Sequence, residues 1–241
     1  MATDAITVTQ VSEFLGRFRN LKAMWAAMRL AQFKTGFSRV AAAVQAMQKM
    51  QTELERTTAP RHNVFRILGV HLDEDRTHTP VLADLLNPTG THGQGCVLLR
   101  EFLDQCRTKP GFPLPDGCID SARWFVDTQR VTAFGTLDLV IACPARCYLI
   151  VIENKVYAGE QEDQVWRYSQ WLDTQERAYG TRALVYLTPD GRPSTTGKER
   201  EYFRLSYRGD LADALGRALL HIQADGVRAT VSQYLTVIRD L

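Results

Sequence analysis

The sequence predicts an α/β domain preceded by a helical extension, and three observations carry that prediction. Residues 9–57 place apolar side chains at three- and four-residue spacing, the period of a helix. Residues 123–155 hold apolar runs of strand length with turn residues between them. Helical periodicity then resumes on either side of one more strand-like run, so the centre of the chain reads helix, β-meander, helix, strand.

In residues 9–57 a first stripe runs through Val11, Phe14, Leu15, Phe18, Leu21, Met24, Trp25, Met28 and Leu30. Lys34-Thr35-Gly36 reads as a break, Ser38 as an N-cap, and Val40, Val44, Met47 and Leu54 as a second stripe. The expectation is an αα-hairpin over residues 1–60 that packs on the core or forms half of a homodimer interface.

Residues 61–241 read as the α/β domain. The stretch to residue 106 is interrupted helix: apolar Val64 to Leu68, the charged turn Asp73-Glu74-Asp75-Arg76, and Thr79-Pro80 opening a helix that stops at Asn87-Pro88. A glycine-rich turn and the helix Val97 to Gln105 follow, then a loop over 107–120 with three Pro and two Gly. Strands are expected at Arg123 to Val131, Phe134 to Ala142, Tyr148 to Glu153 and Arg182 to Leu187. Helices are expected at 160–177, 208–221 and 226–240.

Composition narrows the class. The chain has 241 residues, 45% hydrophobic and 23% charged, ordinary for a globular protein and unlike a disordered or fibrous one. Its 29 Lys+Arg and 27 Asp+Glu leave a net charge of +2, so any nucleic-acid contact must come from local placement of cations. Only six of the cations are Lys, which makes Lys155 worth attention. Five Cys without a CxxC pair argue for free thiols over a zinc site. With no leader-like or membrane-length apolar run, a cytoplasmic protein is expected.

Chemistry is signalled by charges set inside apolar strands. Asp138 interrupts Gly135-Thr-Leu-Asp-Leu-Val-Ile, and Glu153 and Lys155 close Tyr148-Leu-Ile-Val-Ile-Glu-Asn-Lys. Alternation places Glu153 and Lys155 on one side of the strand and Asn154 on the other. Two carboxylates side by side on a hairpin repel unless a cation or proton lies between them, and oxygen ligands of this kind suit Mg²⁺. On spacing alone, a solvated strand end with Asp138 paired to an Arg explains the same residues.

Asp138 followed by Glu153-Asn154-Lys155 resembles the D…(D/E)xK core of the PD-(D/E)XK nuclease superfamily. The segment Val151 to Tyr168 is similar to a subgroup motif, IENKIxAxxQxxQLxRY, and Asp75 to Gly93 is similar to its ExxHSxFLAWLLxPxGxHG segment. The resemblance implies a restriction-endonuclease-like core, a mixed sheet flanked by helices, and Mg²⁺- or Mn²⁺-dependent hydrolysis of nucleic acid, with DNA as the expected polymer. It implies that Asp138, Glu153 and Asp75 bind metal, with Glu74 the alternative first acid. Lys155 would position water, and Gln164, Tyr168 and His78 would join the site; His92 also matches a subgroup histidine. Arg130, Arg167 and Arg192 are candidates to hold the phosphate backbone. A role in defence against foreign DNA is implied only at family level. Leu137 stands where the superfamily name has Pro, and Asp75 where the subgroup has Glu. A catalytically inactive nucleic-acid-binding or assembly module on the same fold is the alternative.

Overall fold

The computed structural model describes residues 8–59, 61–197 and 199–241. Backbone contacts divide the chain into two units, residues 1–62 and 63–241.

In the first unit Val8–Thr58 form one helix of 51 residues, α1. The expected hairpin break at Lys34-Thr35-Gly36 is absent. A single glycine among Ala, Met, Gln and Leu costs a helix only about 1 kcal/mol. Thr35 and Ser38 turn their hydroxyls onto the carbonyls one turn back, Ala31 and Lys34, at 3.0 and 2.9 Å. Ser38 thus sits mid-helix and caps nothing. No described residue of α1 is buried, and its apolar series includes Trp25, Phe33 and Phe37. Among the described residues no helix is long and apolar enough to cross a membrane.

The second unit is a five-stranded mixed sheet between helices. The strands are β1 (Phe125–Thr132), β2 (Gly135–Cys143), β3 (Tyr148–Asn154), β4 (Thr181–Thr188) and β5 (Phe203–Ser206), in that spatial order. β1, β2 and β3 pair antiparallel through tight turns, whereas β3, β4 and β5 run parallel. The parallel step follows from the intervening helix α5 (Gln164–Thr174), a crossover that a hairpin turn cannot provide. β5 has no counterpart among the expected strands. It is four residues long, too short for period-two patterning to show.

All seven residues of β3 are buried, because both sheet faces are covered. On one face Leu139, Ile141, Ile150, Ile152 and Val185 pack with side chains of α2 (Val64–Ile67), α3 (Thr79–Leu86), α4 (Val97–Cys106), α6 (Ala212–Ala218) and α7 (Asp225–Arg239). The other face buries Val140, Leu149, Val151, Leu184 and Tyr186 against Val165, Tyr168 and Leu172 of α5. α3 is entered through a widened turn, Glu74–His78, in which the His78 amide reaches back to the Asp73 carbonyl at 3.1 Å. Such π-type turns insert an extra residue and re-aim side chains near functional sites.

Candidate active site

The β2–β3 hairpin brings the strand charges together. Its register pairs Leu139 with Ile152 and Val140 with Val151, so one step further sets Asp138 opposite Glu153. Both then stand on the α5 side of the sheet. The Asn154 amide donates to Asp138 Oδ2 at 2.9 Å. Lys155 leaves the strand on the same side as Glu153, its Nζ 3.0 Å from Glu153 Oε1. Glu153 is fully buried, and Lys155 is 6% exposed.

The first acid of the cluster is Glu74. Its Oε1 lies 3.5 Å from Lys155 Nζ, and its Oε2 accepts the Val156 amide at 2.6 Å. Asp75, the expected ligand, is exposed on the same turn. The widened turn aims Glu74 toward Lys155 and leaves Asp75 facing outward. Two carboxylates, Glu153 and Glu74, therefore contact one ammonium, and Asp138 stands beside Glu153.

The electrostatics are unbalanced. Burial, and then the charge of Asp138, push the Glu153 carboxyl well above its usual range despite Lys155. The polar contacts of the Glu153 carboxyl are the Lys155 ammonium at 3.0 Å and the neighbouring Asp138 carboxyl. Burial also raises Asp138. For Lys155 burial acts downward, but the Glu153 charge and contact outweigh it and the ammonium is held above its ordinary range.

Gln164 and Tyr168 meet one helical turn apart. Gln164 Nε2 donates to the Tyr168 hydroxyl at 3.1 Å, and that hydroxyl donates to the Thr136 carbonyl on β2 at 2.6 Å. Burial and the Glu153 charge push the Tyr168 hydroxyl up to about 12. These two side chains lock α5 onto the strand that carries Asp138.

His78 is not brought to this cluster. It is fully buried, with Nδ1 3.0 Å from the Tyr234 hydroxyl and Nε2 3.1 Å from the His71 carbonyl. Burial lowers it to about 4, so the ring is neutral: Nε2–H donates to the carbonyl and Nδ1 accepts from Tyr234. An unfolded histidine titrates near 6.5, so between about pH 6.5 and 4 the unfolded state takes the proton first. Stability is expected to fall by up to about 3 kcal/mol as pH drops through that window. Denaturant melts across it, with the ring protons followed by NMR, check this; a ring titrating near 6.5 contradicts it.

His92 bonds the Asn87 carbonyl and the Gln94 amide within its own loop. Arg167 is committed to the Phe134 and Glu162 carbonyls, and Arg130 lies over the Trp171 ring at 5.5 Å. The Arg192 side chain is exposed.

Alternation already sets Asn154 on the opposite face, but its partners there, and two further features, had no clear sequence signal. Asn154 turns to the opposite face, donating to Thr79 Oγ1 at 3.1 Å and accepting from the Tyr207 hydroxyl at 2.7 Å. Glu160 gathers Ser194, Thr195, Thr196 and Tyr186 as donors. Burial would raise it, but these bonds hold it down to about 2, tying the loop after β3 to the loop after β4. Gln129 stands at the register position opposite Asp138, its Nε2 3.5 Å from Asp138 Oδ1.

A cavity of about 550 Å³ lies elsewhere, lined by Ser169, Asp173, Arg182, Arg200 and Phe203 among others. None of the clustered carboxylates borders it, and the titratable groups, not the volume, mark the candidate site.

A mixed sheet that presents two carboxylates and a lysine at the end of a central hairpin defines a nuclease-like class of α/β domain. A sequence profile of the PD-(D/E)XK nuclease superfamily matches residues 62–240, and the chain belongs to that superfamily. No curated protein and no solved structure matches it.

Whether the residues fit a divalent ion can be tested on the site itself. No group of three or more His, Cys, Asp or Glu arranged to hold a metal forms among the described residues. Mg²⁺ needs fewer, since it keeps several waters and is commonly held by one or two carboxylates. Two adjoining carboxylates, one fully buried and pushed upward by burial and by the other's charge, fit that requirement.

Proposed function

We propose that this protein is a Mg²⁺- or Mn²⁺-dependent nuclease that hydrolyses phosphodiester bonds, with DNA as its substrate. The observation that carries the reading is Glu153: a fully buried carboxyl whose polar contacts are Asp138 and a lysine at 3.0 Å. A group in that state is costly unless a cation compensates it, and one ammonium shared with Glu74 does so only in part.

Asp138 and Glu153 would hold the ion. When bound, it supplies a water of lowered pKa and neutralises charge on the phosphate. Lys155, fixed between Glu153 and Glu74, is aimed to hold the attacking water or a phosphate oxygen by charge. Asn154 fixes Asp138 through its amide and is itself anchored from behind by Thr79 and Tyr207. Gln164 and Tyr168 hold α5 against the same strand.

The test is to incubate the purified chain with plasmid, single-stranded DNA and RNA in Mg²⁺, Mn²⁺ or chelator. Metal-dependent cleavage of DNA is expected. No cleavage of any polymer would end the nuclease reading, and cleavage of RNA alone would end the assignment to DNA.

A further inference from the structure

Gln129 is placed by a backbone conformation that a strand does not ordinarily allow. It sits inside β1, between Thr128, paired with Leu139, and Arg130, paired with Leu137. The ladder skips Gln129 itself, and continuing the register sets it opposite Asp138. Its φ is +51°, in the left-handed region, where a residue other than glycine is strained and where a strand interior has no use for it. Such strain persists where the surroundings over-determine it and is concentrated at functional sites. Here it coincides with the one β1 position that faces a candidate metal ligand.

The side chain uses that placement. Gln129 Nε2 approaches Asp138 Oδ1 at 3.5 Å, while the Asn154 amide holds Oδ2 at 2.9 Å. The two oxygens of Asp138 thus have a donor each, one from either neighbouring strand. A carboxylate so held cannot rotate freely, and its remaining lone pairs keep one orientation toward Glu153. The amide is neutral, so it orients Asp138 without competing for it as a cation would. Glu153 has no amide donor of this kind, and its orientation depends on Lys155 and on Asp138 itself.

We infer that Gln129 is a positioning residue, held in a strained strand conformation so that its amide fixes Asp138 for a divalent cation. The inference rests on the nuclease reading for the identity of that cation's role, but its test does not depend on cleavage.

Gln129→Gly relieves the backbone strain and removes the amide together. It is expected to raise the melting midpoint in chelator by about 2–4 °C. The same variant is expected to weaken Mn²⁺ binding, measured by titration calorimetry, about 3- to 10-fold. Gln129→Asn, which tolerates positive φ and keeps a shorter amide, should fall between native and Gly in Mn²⁺ affinity. A merely structural glutamine would move stability and leave metal affinity alone. Equal Mn²⁺ affinity in native and Gly chains overturns the inference while leaving the nuclease reading intact. A lowered midpoint for the Gly variant overturns the strain on which it rests. A native chain that binds no Mn²⁺ overturns both readings at once.

Discussion

Glu153→Gln is expected to make the metal-free protein more stable while lowering nuclease activity by about 10³-fold. The two effects have opposite signs for one reason. Glu153 and Glu74 share Lys155, and Asp138 adjoins Glu153, so negative charge outnumbers positive in a region where Glu153 is fully buried. Burial and Asp138 already push the Glu153 carboxyl toward its neutral form. Glutamine keeps the shape, removes one charge and offers an amide toward Asp138. Lys155 still faces Glu74 at 3.5 Å, so the ammonium is not stranded. A gain of about 1–2 kcal/mol, or roughly 2–8 °C in midpoint, follows from the known behaviour of buried ionic groups replaced by neutral ones of similar volume. The loss of activity follows because the removed charge is one of the two that would hold the cation. Thermal melts in chelator and in Mn²⁺ separate the effects. The native chain should gain stability when Mn²⁺ is added, and the variant much less. A midpoint that falls in chelator would show that Glu153 is already compensated, and retained activity would remove it from the site.

The parts of this site legible in the sequence are those that local pattern encodes. A charge inside a run such as Tyr148 to Asn154 is visible because its neighbours are apolar, and alternation alone puts Glu153 and Lys155 on one side. The four-residue spacing of Gln164 and Tyr168 likewise implies the contact they make. What escaped depends on backbone geometry that no residue type announces. Glu74 faces Lys155 and its neighbour Asp75 does not, because the turn after Asp73 is widened by one residue. Gln129 is unremarkable as a residue and distinguished only by its φ. The hairpin expected at Gly36 fails for the converse reason: a break was inferred from a residue that a long run of helix formers absorbs. His78 looks like a site histidine by motif, but it lies at the base of the turn, where Tyr234 and His71 take both ring nitrogens.

Lys155→Ala should act in the opposite direction on stability, and this contrast tests whether the cluster is held by charge. Removing the ammonium leaves Glu153 buried beside Asp138 and Glu74 with no cation among its present neighbours. Breaking a buried pair from one side costs about 3–5 kcal/mol, since the remaining charge is uncompensated. That corresponds to a midpoint lower by roughly 6–20 °C in a unit of this size. Activity is expected to fall about 10²- to 10³-fold, the usual loss when one fixed electrostatic group at a developing charge is removed. Lys155 is 6% exposed, so truncation to Ala also removes a buried aliphatic stem. Lys155→Met keeps that stem and deletes only the charge. If charge holds the cluster, Met should lose most of the stability that Ala loses. Mn²⁺ at millimolar concentration should then restore much of the Met variant's midpoint without restoring cleavage, because a bound ion replaces the lysine's charge but not its reach toward water or phosphate. A Met variant as stable as the native chain in chelator would show that Lys155 contributes packing rather than charge, and the unbalanced-carboxylate account of this site would fall with it.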